Sequence, residues 1–327
     1  MGRELVDLFG RVHRDFRISV TDRCNFRCQY CMPEEGLDWL KREELLTFEE
    51  ITRLTKILVE NYGIHSVRLT GGEPTLRANL SDLISMLSEL PIEIALTTNG
   101  ITLEKNAHLL RSAGLSRINI SIDSLKAEKF KEITHRDEMR KVIAGIEASL
   151  EAGFSPVKIN VVAMRGVNDD EILDFAKFGR DRSVIVRFIE FMPLDADENW
   201  STSSVLSQEE IFSTINSVYP LEAVERSNAP ASRFRFVDGQ GEIGIVASVS
   251  QKFCGTCDRI RITADGQFRN CLFSNEELDL KEALRSGSSD REICELLELA
   301  VLAKREGHGI GNVDFIRPAR SMSQIGG

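Results

Sequence analysis

From about residue 16 to residue 190, short apolar, β-branched runs alternate with longer segments of helical period, the pattern of βα units laid on a parallel sheet. The runs predict six strands, at Phe16 to Val20, Ser66 to Thr70, Glu93 to Thr98, Arg117 to Ile122, Val157 to Val162 and Val184 to Ile189. Between the first two, Thr47-Phe48-Glu49-Glu50 reads as a capping box, and Phe48, Ile51, Leu54 and Leu58 recur on one face of the helix that follows. Six successive units predict an α/β fold, an incomplete (β/α)6 version of the eight-stranded barrel, whose sites sit at the C-terminal ends of the strands. After Pro193 the rhythm breaks. Asp195 to Ser204 is polar and loop-like, Glu209 to Val218 reads as helix, Phe234 to Val249 as β structure with turns at Gly239 and Gly241, and Arg291 to Ala303 as helix. A soft boundary near residue 200 divides the chain into a partial barrel, 1–200, and a C-terminal domain, 201–327, covering its open side.

Some polar positions interrupt this pattern where it should be apolar. Lys158 and Arg187 stand inside otherwise β-branched runs, and Arg17 and Arg68 repeat the arrangement on the first two strands. Parallel strands covered on both faces usually read as continuous hydrophobics, and a buried cation needs a carboxylate partner or an anionic ligand. Any one of the four could be a strand-end cation reaching solvent; together they mark one anionic pocket. Arg259 and Arg261 sit two apart, so on a strand they share a face. Their forked guanidiniums suit phosphate oxygens, although a solvated edge strand would look the same.

The chain of 327 residues is acidic, with 41 Lys plus Arg against 51 Asp plus Glu and a formal charge of −10. That argues against general binding to nucleic acid or anionic membranes. Without an apolar span or signal peptide, the expectation is a soluble cytoplasmic protein. Seven cysteines fall as 24, 28, 31, then 254, 257, 271, and a lone Cys294, which is no disulfide ladder. Cys24, Cys28 and Cys31 follow the first predicted strand. Three thiolates on one short loop can hold a [4Fe-4S] cluster by three irons, leaving the fourth open to a small molecule; structural zinc is the competing reading. Cys254, Cys257 and Cys271 again number three. Cys294 lies among Ile293, Leu296 and Leu297 and reads as core.

Thr70-Gly71-Gly72-Glu73-Pro74 ends the second strand, where paired glycines would let backbone approach a ligand and Glu73 could accept from an amine. An ordinary turn explains it equally well, as it does Thr97-Thr98-Asn99-Gly100. His108, His135 and His308 are candidate extra metal ligands without an informative spacing. The terminal Gly326-Gly327 reads as a frayed end.

The cysteine triplet, the Gly-Gly-Glu-Pro turn and the six-strand pattern resemble the radical S-adenosylmethionine enzymes. The second triplet, Arg259-Ile260-Arg261 and the final Gly-Gly are similar to those of the GTP 3',8-cyclases of molybdenum cofactor biosynthesis. The resemblance runs from about residue 11 to the end. It implies two [4Fe-4S] clusters, on Cys24, Cys28 and Cys31 and on Cys254, Cys257 and Cys271. The first would reductively cleave S-adenosyl-L-methionine, and the 5'-deoxyadenosyl radical would take hydrogen from C3' of GTP, so that C3' bonds to C8. The resemblance assigns S-adenosylmethionine contacts to Tyr30, Gly72, Ser121 and Met192, and GTP contacts to Arg17, Arg68, Thr97, Lys158, Arg187, Arg259, Ile260 and Arg261. It puts Arg17, Arg259, Arg261, Gly326 and Gly327 among the catalytic residues, the tail entering the site. Implied partners are an electron donor and the downstream cyclic pyranopterin monophosphate synthase, with the enzyme a monomer or homodimer. A peptide-modifying radical enzyme would normally carry more auxiliary cysteines; a zinc-stabilised binding module would be colourless and cleave no S-adenosylmethionine.

Overall fold

A computed structural model describes residues 3–33, 35–195, 200–225, 229–313 and 315–326. Six βα units come first. Their strands are β1 (Asp15–Ser19), β2 (Ser66–Thr70), β3 (Glu93–Thr98), β4 (Arg117–Ser121), β5 (Val157–Ala163) and β6 (Ile185–Glu190). They alternate with helices α1 (Phe48–Tyr62), α2 (Leu80–Ser88), α3 (Leu103–Ser112), α4 (Ala127–Thr134), α5 (Met139–Glu151) and α6 (Ile172–Arg182). Helix α1 starts as its sequence dictates: Thr47 accepts from the Glu50 amide, Glu50 accepts from the Thr47 amide, and Gly63 ends the helix in the left-handed region.

The rest of the chain adds α7 (Gln208–Asn216), β7 (Leu221–Ala223), β8 (Ser232–Phe236), β9 (Glu242–Val246), β10 (Arg259–Ile262), β11 (Gln267–Arg269), β12 (Leu278–Asp279), α8 (Leu280–Arg285), α9 (Asp290–Leu302) and α10 (Met322–Ile325). All twelve strands join one sheet, ordered β12-β11-β10-β1-β2-β3-β4-β5-β6-β9-β8-β7. Strand β9 runs parallel to β6, and β10 parallel to β1. The later residues therefore flank the six-stranded unit on both sides. Arg259 and Arg261 accordingly lie inside the sheet, and the solvated edge strand is not what forms.

Pleating sorts the side chains, because residues in register share a face and neighbours along a strand alternate. One face carries Phe16, Ile18, Val67, Leu69, Ile94, Leu96, Ile118, Ile120, Ile159, Val186, Phe188, Ile260 and Ile262, all at 0–1 % exposure and in one core with the helices. The opposite face is polar. Arg261, Arg17, Arg68, Ala95 and Arg117 align across β10 to β4. One step toward the C-terminal ends, Thr97, Asn119 and Lys158 align, and next to them Ser121, Asn160, Arg187 and Gly244. No helix among the described residues is long and apolar enough to cross a membrane.

Candidate functional site

The first cysteine loop leaves β1 at its C-terminal end and rests on the turn after β2. The Gly72 amide donates to the Thr21 carbonyl at 2.8 Å, and the Glu73 amide to that of Arg23 at 2.7 Å. Gly71 and Gly72 are required by this contact: a Cβ on Gly71 would lie 2.2 Å from the Thr21 oxygen, and one on Gly72 2.4 Å from the oxygens of Asp22 and Arg23. The close approach that the glycines permit is thus made by the protein's own loop. Glu73 differs from the expectation of an acceptor awaiting an amine. Its buried carboxylate already takes four bonds, from the Thr75 amide and hydroxyl, the Thr98 hydroxyl and the Asn99 amide. It ties the ends of β2 and β3 together, and Asn99 in turn donates to Asn25 beside Cys24.

Within the loop the amides of Cys31 and Met32 both donate to the Cys28 carbonyl. Tyr30 donates its hydroxyl to Asp123 at 2.7 Å, and Asp123 also accepts from the Val162 amide. Burial raises the Asp123 carboxyl to about 6. Burial and then Glu73 push Cys24 up to about 11, and burial followed by Cys24 pushes Cys31 to about 12. Cys28 is also raised well above its usual range, by burial and then by Asp123 and the other two thiols. All three are free thiols.

The second loop is surrounded by cations. Cys254 lies in a short turn whose carbonyl accepts from the Cys257 amide at 3.1 Å and from Arg11 at 2.9 Å. Burial would raise Cys257, but Arg259 and Lys304 draw it down to about 7. Cys254 is raised by burial, and Cys271 follows β11. His308 stands next to this loop, yet its ring accepts from the Ile310 amide and tilts against Phe273. Only its backbone, which donates to Cys254, serves the triplet. His108 and His135 lie on α3 and at the end of α4.

Each triplet offers three free thiols near enough to perturb one another, the donor set that a [4Fe-4S] cluster takes. No three His, Cys, Asp or Glu side chains close on a single ion among the described residues.

The cations on the polar face are buried and only weakly compensated by carboxylates. The Nε atoms of Arg17 and Arg68 are buried without a hydrogen-bond partner, and the nearest carboxylate oxygen to Arg17 belongs to Asp15, at 3.9 Å. Burial, moderated by Asp15, lowers Arg17 and Arg68 to about 10, each also repelled by neighbouring arginines. Burial and Arg17 lower Arg187 to about 10, and its bonds go to the neutral Asn160. Burial and Arg187 bring Lys158 to about 8. Arg259 stacks on Phe253, 4.8 Å from the ring centroid, and hydrogen-bonds Cys257. Arg117, which the sequence reading passed over, belongs to the same row but is paired with Glu93.

Thr97 and Ser121 stand half-buried on this polar face, Thr97 accepting from Asn119. Ile260 points to the apolar face at 0 % exposure, so its side chain stands off the site. The tail is not frayed. Arg320 is held by Asp265 at 2.8 Å, and Ser323 hydrogen-bonds Cys31. Ile325 packs with Leu194, Phe273 and Ile310, flanked by Met192 and Cys271. Arg261 donates to the Gly326 carbonyl at 2.9 Å. A Cβ on Gly326, whose φ is +81°, would lie 2.9 Å from Thr70 and 3.0 Å from Ser19. Gly327 lies outside the described residues.

Comparison with known proteins adds to this geometry. Residues 18–179 match the model of the Radical SAM superfamily, and 184–310 that of Molybdenum Cofactor Synthesis C. The GTP 3',8-cyclase of Streptomyces coelicolor is 46 % identical over 99 % of the chain and 96 % of its own length. This chain belongs to the GTP 3',8-cyclase family. That of Corynebacterium glutamicum is also 46 % identical, over 99 % of the chain and 90 % of the relative, and that of Rhodopirellula baltica 45 %, over 99 % and 92 %. The fold recurs in solved structures: anSMEcpe with bound AdoMet at TM-score 0.63 and 16 % identity, covering 93 % of this chain and 88 % of that one, and Streptococcus suis SuiB bound to S-adenosylmethionine at 0.65 and 13 %, covering 90 % and 69 %. At these identities the likeness is one of fold. It lends no weight to a peptide-modifying activity in this cyclase-family chain.

Proposed function

We infer that the chain is a radical S-adenosylmethionine GTP 3',8-cyclase, converting GTP to 3',8-cyclo-7,8-dihydro-GTP in the first step of molybdenum cofactor biosynthesis. The observation that carries the substrate is the set of buried, weakly compensated cations on the polar face: Arg17, whose nearest carboxylate is Asp15 at 3.9 Å, Arg68, Lys158 and Arg187, which bonds to the neutral Asn160. A protein of charge −10 concentrates positive charge there only at a cost, because the cations are buried and repel one another. A triphosphate removes that cost.

The cluster on Cys24, Cys28 and Cys31, when bound, supplies the electron that cleaves S-adenosylmethionine. Tyr30, Gly72, Ser121 and Met192 are our choice for its binding residues. Gly72 acts by shaping the loop, and Tyr30 through its bond to Asp123. Arg17, Arg68, Lys158, Arg187 and Arg261 hold the phosphates, and Thr97 lies one register step away. Arg259 and Arg261 bring the second loop and the tail against the nucleotide, Arg259 through Cys257 and Arg261 through Gly326. A second [4Fe-4S] cluster on Cys254, Cys257 and Cys271 would then hold the base. Placement is the main contribution of these residues, since a misoriented C3' would not be attacked. We divide the labour near residue 200, with the cofactor side in 1–200 and the second cluster and tail in 201–327. The enzyme works in the cytoplasm as a monomer or homodimer. It takes its electron from a reductant and passes its product to a cyclic pyranopterin monophosphate synthase.

Anaerobically reconstituted protein given dithionite, S-adenosylmethionine and GTP should form 5'-deoxyadenosine and the cyclised nucleotide together. Arg17→Ala and Arg68→Ala should each weaken GTP binding by about 1.5–3 kcal/mol, roughly ten- to a hundredfold, for each charge-assisted hydrogen bond to phosphate that the change removes. Calorimetry on cluster-loaded variants is the measurement, and unchanged affinity in both would remove the phosphate role.

A further inference from the structure

Lys304 follows α9 and is 3 % exposed, a rare position for a lysine, which has three donors to satisfy. All three find acceptors: the Arg259 carbonyl at 2.9 Å, His13 Nε2 at 2.8 Å and Cys257 Sγ at 3.5 Å. The neighbourhood fixes this arrangement. His13 Nδ1 lies 3.2 Å from the Leu5 carbonyl, which places the ring proton on Nδ1 and leaves Nε2 to accept. Burial and Lys304 hold the ring's pKa down at about 4, so it stays neutral beside the ammonium. Behind it, Asp7 pairs with Arg11 at 2.5 Å. The Arg11 guanidinium donates to the carbonyls of Cys254, Arg305 and Glu306. Residues 5–13 thus clasp both the second cysteine loop and the segment carrying Lys304.

Two of the ammonium's bonds serve only to anchor it. The third ends on a triplet sulfur, and among the described residues no other triplet cysteine accepts from a lysine. Hydrogen bonds and net charge at the ligating sulfurs set the reduction potential of an iron–sulfur cluster. We propose that Lys304 is a positioning residue acting through Cys257: its charged N–H bond to that sulfur raises the reduction potential of the second cluster and makes the open iron a stronger acceptor for the purine base. His13 and the clasp of residues 5–13 aim it. The proposal rests on the reading that the second triplet carries a [4Fe-4S] cluster.

The test uses the full chain with the first triplet silenced by Cys24→Ala, Cys28→Ala and Cys31→Ala, so that the spectroscopic signal comes from the second cluster alone. Lys304→Met removes charge and donor; Lys304→Gln keeps a donor and loses the charge. Iron and sulfide content is measured first, then the midpoint potential by titration monitored by electron paramagnetic resonance. The expected result is a midpoint shifted to more negative potential, further in Lys304→Met than in Lys304→Gln, with cluster content retained; if only the glutamine variant retains its iron, its shift is the reading. A midpoint equal to the parent's in an iron-loaded variant overturns the proposal. Loss of the cluster from both variants overturns it too, since a lysine that merely holds the loop would give that result. A parent that assembles no cluster removes the second-cluster reading and the proposal together, and it does so before Lys304 is changed.

Discussion

The loop carrying Cys24, Cys28 and Cys31 and the loop carrying Cys254, Cys257 and Cys271 offer three thiols each, in opposite electrostatic surroundings. The first lies against the buried carboxylates of Glu73 and Asp123. The second has Arg259 and Lys304 on one sulfur and Arg11 on its backbone. Burial, with like charge added to it, raises the first set, whereas Arg259 and Lys304 overcome burial and bring Cys257 down to about 7. The same donor chemistry therefore stands in two different fields. Under the proposed function, the acid-lined first site would suit the ammonium and sulfonium of S-adenosylmethionine, and the cation-lined second one a nucleotide with its phosphates on neighbouring arginines. The C-terminal tail connects them, with Ser323 on Cys31 and Ile325 packed in the group that includes Cys271.

The comparison breaks most directly at the thiols. Cys24→Ala should abolish S-adenosylmethionine cleavage. Cys254→Ala should leave some cleavage and no cyclised nucleotide, with about half the iron remaining in each. Quantifying 5'-deoxyadenosine and product side by side decides it; a Cys254→Ala enzyme that cyclises GTP at the parent rate would show the second loop to be a scaffold. Gly72→Ala should act on one loop only. Its Cβ would stand 2.4 Å from two carbonyl oxygens of the first loop, which forces a backbone shift costing about 1–3 kcal/mol. We expect the first triplet to lose iron while the second keeps it, read by iron analysis in the presence and absence of the Cys254→Ala change. Equal loss from both loops would mean that the turn supports the whole sheet rather than its neighbour.

The smallest effect is a pH dependence. Lys158 titrates near 8 in the free protein, and a bound triphosphate favours its charged form, raising that value. Between pH 8 and 9 the free protein therefore loses a proton that the complex keeps, so GTP affinity falls with rising pH, by at most about tenfold per unit. Below pH 7 this group contributes no slope. Dissociation constants at pH 7, 8 and 9 should show the fall in the parent and a shallower one in Lys158→Met; identical slopes would assign the titration elsewhere.

Much of this was legible along the chain. The predicted bounds of β2 and β3 coincide with the observed ones, because each is an apolar run closed by a turn. Arg17, Arg68, Lys158 and Arg187 were visible as charges in the wrong place. The flanking strands were not. Arg259-Ile-Arg-Ile looks equally suited to a sheet's edge or interior, and β11 and β12 have three and two residues, too short to show a period. The cationic row also required register: nothing in the sequence says that Arg261, Arg17 and Arg68 align. Residues defined by a distant partner stayed hidden. Lys304 and His13 are 291 positions apart, and Tyr30 and Asp123 are 93 apart. The paired glycines were recognised as a close approach, but the object approached, the 21–23 backbone, could be identified only in three dimensions.

The pairing of β1 with β10 has a consequence for how the chain is made. One side of strand β1 pairs with β10, synthesised about 240 residues later, which at roughly 5–20 residues per second means a wait on the order of 10–50 s. During that interval its amides and carbonyls form an exposed edge next to the first cysteine loop, open to adventitious partners. Nascent chains stalled before residue 259 should thus be the species most prone to aggregate and most dependent on chaperones, and insertion of the first cluster would have to await, or be protected until, the synthesis of β10.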